Sequence, residues 1–335
     1  MPVGCGTHQA LIVDRGGAVV STADTLVEVE WTRVLDDTSS AKILVHPDAD
    51  CCASLAEVRA WRHKLCLYRD GHPVWEGPII APKWSAAGVE IRAFDILAWL
   101  DRRVPHSDVQ FVDRELAEIA EWLIHDGFAP DDPGHSVEIV EPTRIRGRRE
   151  YEVDVGQTGD HLRDLADTGI DFTAVGSRIL LLPENFSGRV GALTDADFPA
   201  GLSVAEDGAA LATRWVVHGK DGVKGVAGGH DPYYGLLEQS VEETSVLDDA
   251  SAEGAARSRL RANLPAPVFL DSQQTTLSPD AAVDVPTLVP GWCVDVTTTA
   301  TCRTISQSLK IVTVKVSEDG DGESVAVQLT PAGGA

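Results

Sequence analysis

Hydrophobic and polar positions alternate along much of this chain, and a period of two predicts strands more often than helices. The first 22 residues show little period. Thr25-Leu26-Val27-Glu28-Val29-Glu30-Trp31 then alternates, with Val27, Val29 and Trp31 on one face of a half-buried strand. Residues 35–40 read as a turn, 41–46 as the returning strand and 53–60 as a short helix. Strands over 64–68 and 73–80 flank Arg69-Asp70-Gly71-His72, where Asp-Gly suits the positive φ angles of a tight hairpin. Residues 88–94 add a strand in which Val89, Ile91 and Ala93 alternate against Glu90 and Arg92, and Asp95 is placed to cap a short helix through Leu100. Five or six strands in a meander are enough to curl into a small barrel.

The middle of the chain changes period. Residues 113–124 set Leu116, Ile119, Ala120 and Leu123 at helical spacing, with Glu115, Glu118 and Glu121 outside. A second helix is predicted over 159–167, opened by Thr158 and ended by Gly169. A hairpin over 170–182 turns at Gly176-Ser177 and stops at Pro183. Strands return at 212–219 and 236–242, and 250–264 reads as a helix rich in alanine and arginine. Further strands follow at 292–298, at 303–316 with Val312, Val314 and Val316 inward, and at 324–329 after a turn over 318–322. The predicted fold class is mainly β with an α+β insertion. Two small β-barrel domains, 1–105 and 201–335 (the second with one helix), flank an α+β insertion module over 106–200.

Charge changes the picture most. Fifty-two acidic residues against 28 basic ones give a net charge of −24, whereas a protein that grips nucleic acid needs a net basic surface. Sequence-specific nucleic-acid binding is therefore not expected, and a DNA conduit with such a surface would not stick to its cargo. Solubility alone, or a host with an acidic proteome, explains the charge equally well. No apolar run reaches the roughly 18–20 residues of a membrane span, and Met1-Pro2-Val3-Gly4-Cys5 lacks the features of a secretory signal. Synthesis in a host cytoplasm is the expectation. The cysteines Cys5, Cys51, Cys52, Cys66, Cys293 and Cys302 form no C-x2-C pair, so neither a structural zinc nor any other cofactor is predicted. Free thiols are expected throughout, with Cys293 and Cys302 a candidate disulfide across a hairpin.

Little in the sequence points to catalysis. It holds no G-x-S-x-G, H-E-x-x-H or P-loop. Glu184 and Asp195 are a candidate carboxylate pair for glycan cleavage, although chance pairs are plentiful in so acidic a chain. No catalytic, cofactor or metal residue is predicted. Two stretches stand out as contact candidates. One is the glycine-flanked loop with His230, Asp231, Tyr233 and Tyr234, read as a flexible segment whose aromatic rings dock on a neighbouring subunit, or alternatively as a sugar or metal site. The other is the basic cluster Arg144, Arg146, Arg148 and Arg149, read as an exposed turn or a set of ion pairs, or alternatively as a phosphate contact.

Four segments together resemble the tail-hub or minor tail proteins of long-tailed actinobacterial phages, a baseplate-hub-like tail-tip family. They are 33–41 (Arg-Val-Leu-Asp-Asp-Thr-Ser-Ser-Ala) with Asp50-Cys51-Cys52; Leu67-Tyr68-Arg69-Asp70-Gly71 with 74–79 and 93–100; Gly159-Asp160-His161-Leu162-Arg163-Asp164-Leu165-Ala166 with Asp171-Phe172; and Leu288-Val289-Pro290-Gly291. The resemblance implies a homotrimeric ring that continues the tail tube and is found in the virion. Its partners would be the distal tail protein, the tape-measure protein and tip or fibre proteins. A host-receptor or carbohydrate-binding module of the same tail is the rival reading, and a cell-wall hydrolase the third.

Overall fold

The computed structural model describes residues 3–331, apart from 5, 24–25, 49–51, 202–203, 207, 210, 265–267, 271–274, 300–301 and 303. A 12-stranded sheet dominates it. Its backbone is the 15-residue strand Ile305–Asp319. One edge of that strand pairs with Gly322–Pro331. The other edge is shared: Cys293–Thr298 takes the first part, and Leu26–Val34 takes residues 313–318. From Leu26–Val34 the order continues through Ser40–Val45, Gly88–Phe94, His72–Ser85, His63–Arg69, His8–Asp14 and Val19–Ala23. N-terminal and C-terminal strands thus lie side by side over one apolar core, in which Trp31, Ile43, Leu65, Val314 and Val327 are all buried.

Local chemistry accounts for the bends. Strand His72–Ser85 pairs first with His63–Arg69 and then with Gly88–Phe94, so the sheet folds over itself there. The fold brings Gly77 so close to Phe94 that a Cβ would lie 1.8 Å from the Phe94 carbonyl oxygen. The Asp70-Gly71 turn has φ of 50° and 79°, the doubly positive pair expected of the sequence.

Residues 96–181 build a second core. Helices Leu116–Phe128 and Thr158–Ala166 pack with the three strands Ile170–Val175, Arg178–Pro183 and Ser136–Ile139, the last pair parallel. The first helix starts three residues later than its period suggests, because Val109–Glu115 is a strand paired with Arg146–Tyr151. A third, smaller core sits between the sheet of Lys224–Gly228, Arg214–His218 and Glu238–Glu242 and the helix Asp249–Asn263. Ala252, Ala255 and Ala256 face Trp215 and Ala227, and a Cβ on Gly225 would lie 2.0 Å from the Ala252 carbonyl carbon. Small residues let this helix approach.

Several expectations need correction. Val27 is 42% exposed, and Val312 is only half-buried. Each sits at a β-bulge, which inserts one residue and reverses the alternation. The first 22 residues contain two strands, His8–Asp14 and Val19–Ala23. The helix expected over 53–60 is confined to Cys52–Leu55. Cys293 is a buried free thiol and Cys302 an exposed one, so they form no disulfide. Cys66 is also free, and burial together with the Glu76 carboxylate pushes its thiol up to about 11. Cys5 and Cys51 lie outside the described residues.

Asp95 caps the 3-10 helix Ile96–Arg102 as the sequence suggests, accepting from Leu97 N–H at 3.0 Å and from Ser39 N–H at 2.9 Å. Burial pushes its carboxyl up to about 7 against these stabilising bonds. The folded chain then holds a proton there that the unfolded chain releases near pH 4, so this group's contribution falls as pH rises from about 4 to 7. Asp95→Asn is expected to flatten the loss of melting temperature between pH 5 and pH 8. An unchanged slope would show that Asp95 ionises normally.

Candidate assembly surfaces

Segment 33–39 ties the cores together. Arg33 is buried, and its guanidinium donates to the carbonyl oxygens of Pro286 and Leu288 at 3.0 Å each and of Val74 at 2.8 Å. Desolvation lowers its pKa to about 10, which leaves it charged at neutral pH. Asp36 adopts φ 59°; its N–H donates to Phe172 O and its carboxylate accepts from Phe172 N–H, both at 2.8 Å. Arg163 joins Asp101 at 2.8 Å, Asp160 at 3.0 Å and Asp37 at 3.4 Å. All four segments that carry the resemblance therefore meet at this junction, Leu288 and Val74 through Arg33 and Phe172 through Asp36.

Beneath it lies a buried cluster with more acid than base. Lys310 donates to Asp171 Oδ2 at 2.5 Å and to the Glu184 carbonyl oxygen. Burial raises the carboxyls of Asp36, Asp171 and Glu184, and the charge of Asp171 raises the other two further. At the far end of the large sheet, Arg69 holds Glu323 in a fully buried pair at 2.6 Å, and Glu323 also accepts from Gly6 N–H, 317 positions away.

The outer surface carries the predicted contact residues. Asp231 and Gly235 exchange two backbone hydrogen bonds of 2.8 Å, and the Asp231 carboxylate accepts from Tyr233 and Tyr234 N–H at 2.8 Å. These backbone donors hold Asp231 below the usual carboxylate range. The loop is a tied turn that projects Tyr233, 87% exposed, edge-on to Tyr234 at 4.8 Å. His230 is exposed beside it. Leu236 and Leu237 follow, also exposed.

The basic cluster divides. Arg144, Arg146 and Arg148 are exposed. Arg149 points inward and is buried, donating to Thr168 Oγ1 at 3.1 Å and to the Arg148 carbonyl oxygen at 2.9 Å, so it is not a surface contact. Arg257 and Arg261, from helix Asp249–Asn263, join Arg144 and Arg146 around one cavity. This grouping was hidden in the sequence by the hundred or so residues between them.

Glu184 and Asp195 are not brought into a common site by their bonding. Glu184 belongs to the Lys310 cluster, and the Asp195 carboxylate accepts from Thr298 Oγ1 and from Thr299 N–H at 2.8 Å. Among the described residues, no group of three or more His, Cys, Asp or Glu side chains is placed to hold a metal, and no helix is long and apolar enough to cross a membrane.

No protein-family model matches the chain, and a search of curated proteins returns no match. The fold, however, is that of bacteriophage tail proteins. It is similar over 97% of the chain to the 43 kDa tail protein of prophage MuSo2 from Shewanella oneidensis (TM-score 0.64, 14% identity, 99% of that chain). It is similar over 97% to a tail protein from Neisseria meningitidis (TM-score 0.67, 12% identity, 97% of that chain). A type VI secretion system component from E. coli, described as structurally similar to the T4 bacteriophage tail proteins gp27 and gp5, matches over 92% (TM-score 0.56, 14% identity, 73% of that chain).

Proposed function

We propose that this chain is a structural subunit of a phage tail tip, a hub that works by assembly and not by catalysis. The observation that carries this reading is the end-to-end likeness of fold to tail proteins. In the fuller form of the proposal, three copies form a ring that closes or extends the tail tube of a long-tailed actinobacterial phage. Domains 1–105 and 201–335 act as tube-type barrels around the 106–200 insertion. The ring contacts the distal tail protein, the tape-measure protein and tip or fibre proteins, and the chain is made in the host cytoplasm and ends in the virion. The net charge of −24 supports a lumen that DNA crosses without sticking.

The tied Tyr233–Tyr234 turn favours a second role on the same particle, since an exposed tyrosine ring is also a surface on which a sugar ring can stack. Electron microscopy of the particle, or of the chain expressed with its tail neighbours, separates the readings. Three copies around the tail axis at the tip are expected. A single copy off the axis would shift the assignment to receptor binding, and absence from the particle would end the hub reading.

A further inference from the structure

We infer that the four-arginine groove between residues 144–146 and helix Asp249–Asn263 seats the acidic hairpin tip Asp319–Gly322 of a second copy of the chain. The inference rests on the homo-oligomer of the proposed function and names the contact that would hold it.

The groove is a cavity of about 330 Å³ rimmed by Arg144, Arg146, Arg257 and Arg261. Four arginines lining one cavity in a chain of net charge −24 run against its composition, and guanidinium matches carboxylate in planar, two-pronged pairs. Arg146 is held by Asp113, donating to its carboxylate at 3.1 Å and to its carbonyl oxygen at 2.6 Å. Arg257 reaches Glu253 at 3.2 Å and Arg144 reaches Glu141 only at 3.9 Å, both between exposed side chains and therefore weak. Arg261 makes no ion pair among the described residues.

The walls are fixed before anything binds. Gly147 lies so close to the helix that a Cβ would be 1.9 Å from Ser251 Oγ. Arg148 N–H donates to Asp248 at 2.6 Å, and the same carboxylate caps the helix through Ser251 N–H at 2.8 Å. Arg144 is held at φ 60° with its side chain outward. A site prepared in this way loses little freedom on binding.

The tip is the matching part. It ends the hairpin of Ile305–Asp319 and Gly322–Pro331, and Asp319, Gly320, Asp321 and Gly322 are all exposed. Glu318 and Glu323 at its base are engaged by His8 at 2.7 Å and Arg69 at 2.6 Å, which stiffens the hairpin and leaves Asp319 and Asp321 as the outward carboxylates. The tip lines a pocket with Thr7, His8 and Gln9, and none of its residues lines the arginine groove of its own chain. A protruding tip and a receptive groove on different parts of one surface make a head-to-tail contact, which closes into a ring when the rotation allows. Duplex DNA is the disfavoured occupant, because the rest of the surface repels it.

The test is the association of the full chain, measured by light scattering at low and high salt. Arg257→Glu with Arg261→Glu, and separately Asp319→Asn with Asp321→Lys, are each expected to weaken it at least about tenfold. Mixing the groove variant with the tip variant is expected to recover a salt-sensitive complex. Circular dichroism checks that each variant is folded, and the mixing arm does not depend on either variant associating with itself. An oligomer unchanged by either pair, or no recovery on mixing, overturns the inference and leaves the hub reading standing. Loss of duplex-DNA binding in the groove variant with unchanged association gives the groove to phosphate and also overturns it. A wild-type chain that stays monomeric even with its tail neighbours overturns the hub reading and the inference together.

Discussion

Lys310→Met is expected to lower the unfolding free energy by about 3–5 kcal/mol at pH 7, the usual cost of stripping one partner from a buried pair. Lys310 is 5% exposed and is bonded to Asp171, which is itself buried. Without the ammonium, Asp36, Asp171 and Glu184 face one another in a region that already raises all three carboxyls by burial. Raised carboxyls mean that the folded chain binds protons the unfolded chain gives up. Stability from this cluster is therefore greatest at low pH and falls as pH climbs from about 4 through the raised range. Losing Lys310 raises the carboxyls further, so the variant's deficit should be larger at pH 8 than at pH 5 in urea unfolding. Adding Asp171→Leu should recover much of the loss, because an apolar replacement of a whole buried pair is often tolerated. Equal deficits at the two pH values would show that the cluster stays ionised.

Arg33→Met should cost about 4 kcal/mol, because each buried carbonyl left without its donor costs roughly 1–3 kcal/mol and three are affected. The oxygens belong to Pro286, Leu288 and Val74, so the damage is directional. Hydrogen exchange should show amides at 285–291 losing protection while helix Leu116–Phe128, in a separate core, keeps its own. Arg33→Lys should rescue little, since one ammonium on a flexible stem does not reproduce the guanidinium's fixed spread of donors. Uniform loss of protection across both regions would mean that Arg33 supports the whole fold equally.

How much of this was legible depends on how local each signal is. Strands Ser40–Val45, Gly88–Phe94 and Cys293–Thr298 alternate cleanly, and the Asp70-Gly71 turn announces itself, because each depends only on neighbours in sequence. Lys224–Gly228 escaped notice because its inward positions are Gly225 and Ala227. Such small residues give no hydrophobic period, yet they are what the close helix requires. Val27 and Val312 misled because a bulge is set by the partner strand and cannot be seen in one strand alone. The candidate surfaces divide in the same way. Tyr233 was visible as an aromatic in a glycine-rich stretch, while the arginine groove exists only once the insertion and the C-terminal helix meet. Segment 33–41, which reads in sequence as a turn and a family likeness, has a physical role as the junction at which distant parts of the chain are fastened.

The shared edge of Ile305–Asp319 has a consequence for how the chain is made. Leu26–Val34 emerges from the ribosome well before residues 313–318, which cover its outer edge. Until then that edge is an open template for any other strand, and pairings so distant in sequence form slowly. A chain whose synthesis halts before residue 305 cannot cover the edge, and it also lacks the hairpin whose Glu323 seals Arg69 and Gly6. The sheet thus acts as a check on length: a chain that stops short of the hairpin of Ile305–Asp319 and Gly322–Pro331 keeps the edge of Leu26–Val34 unpaired, and such products are left sticky and exposed to proteases.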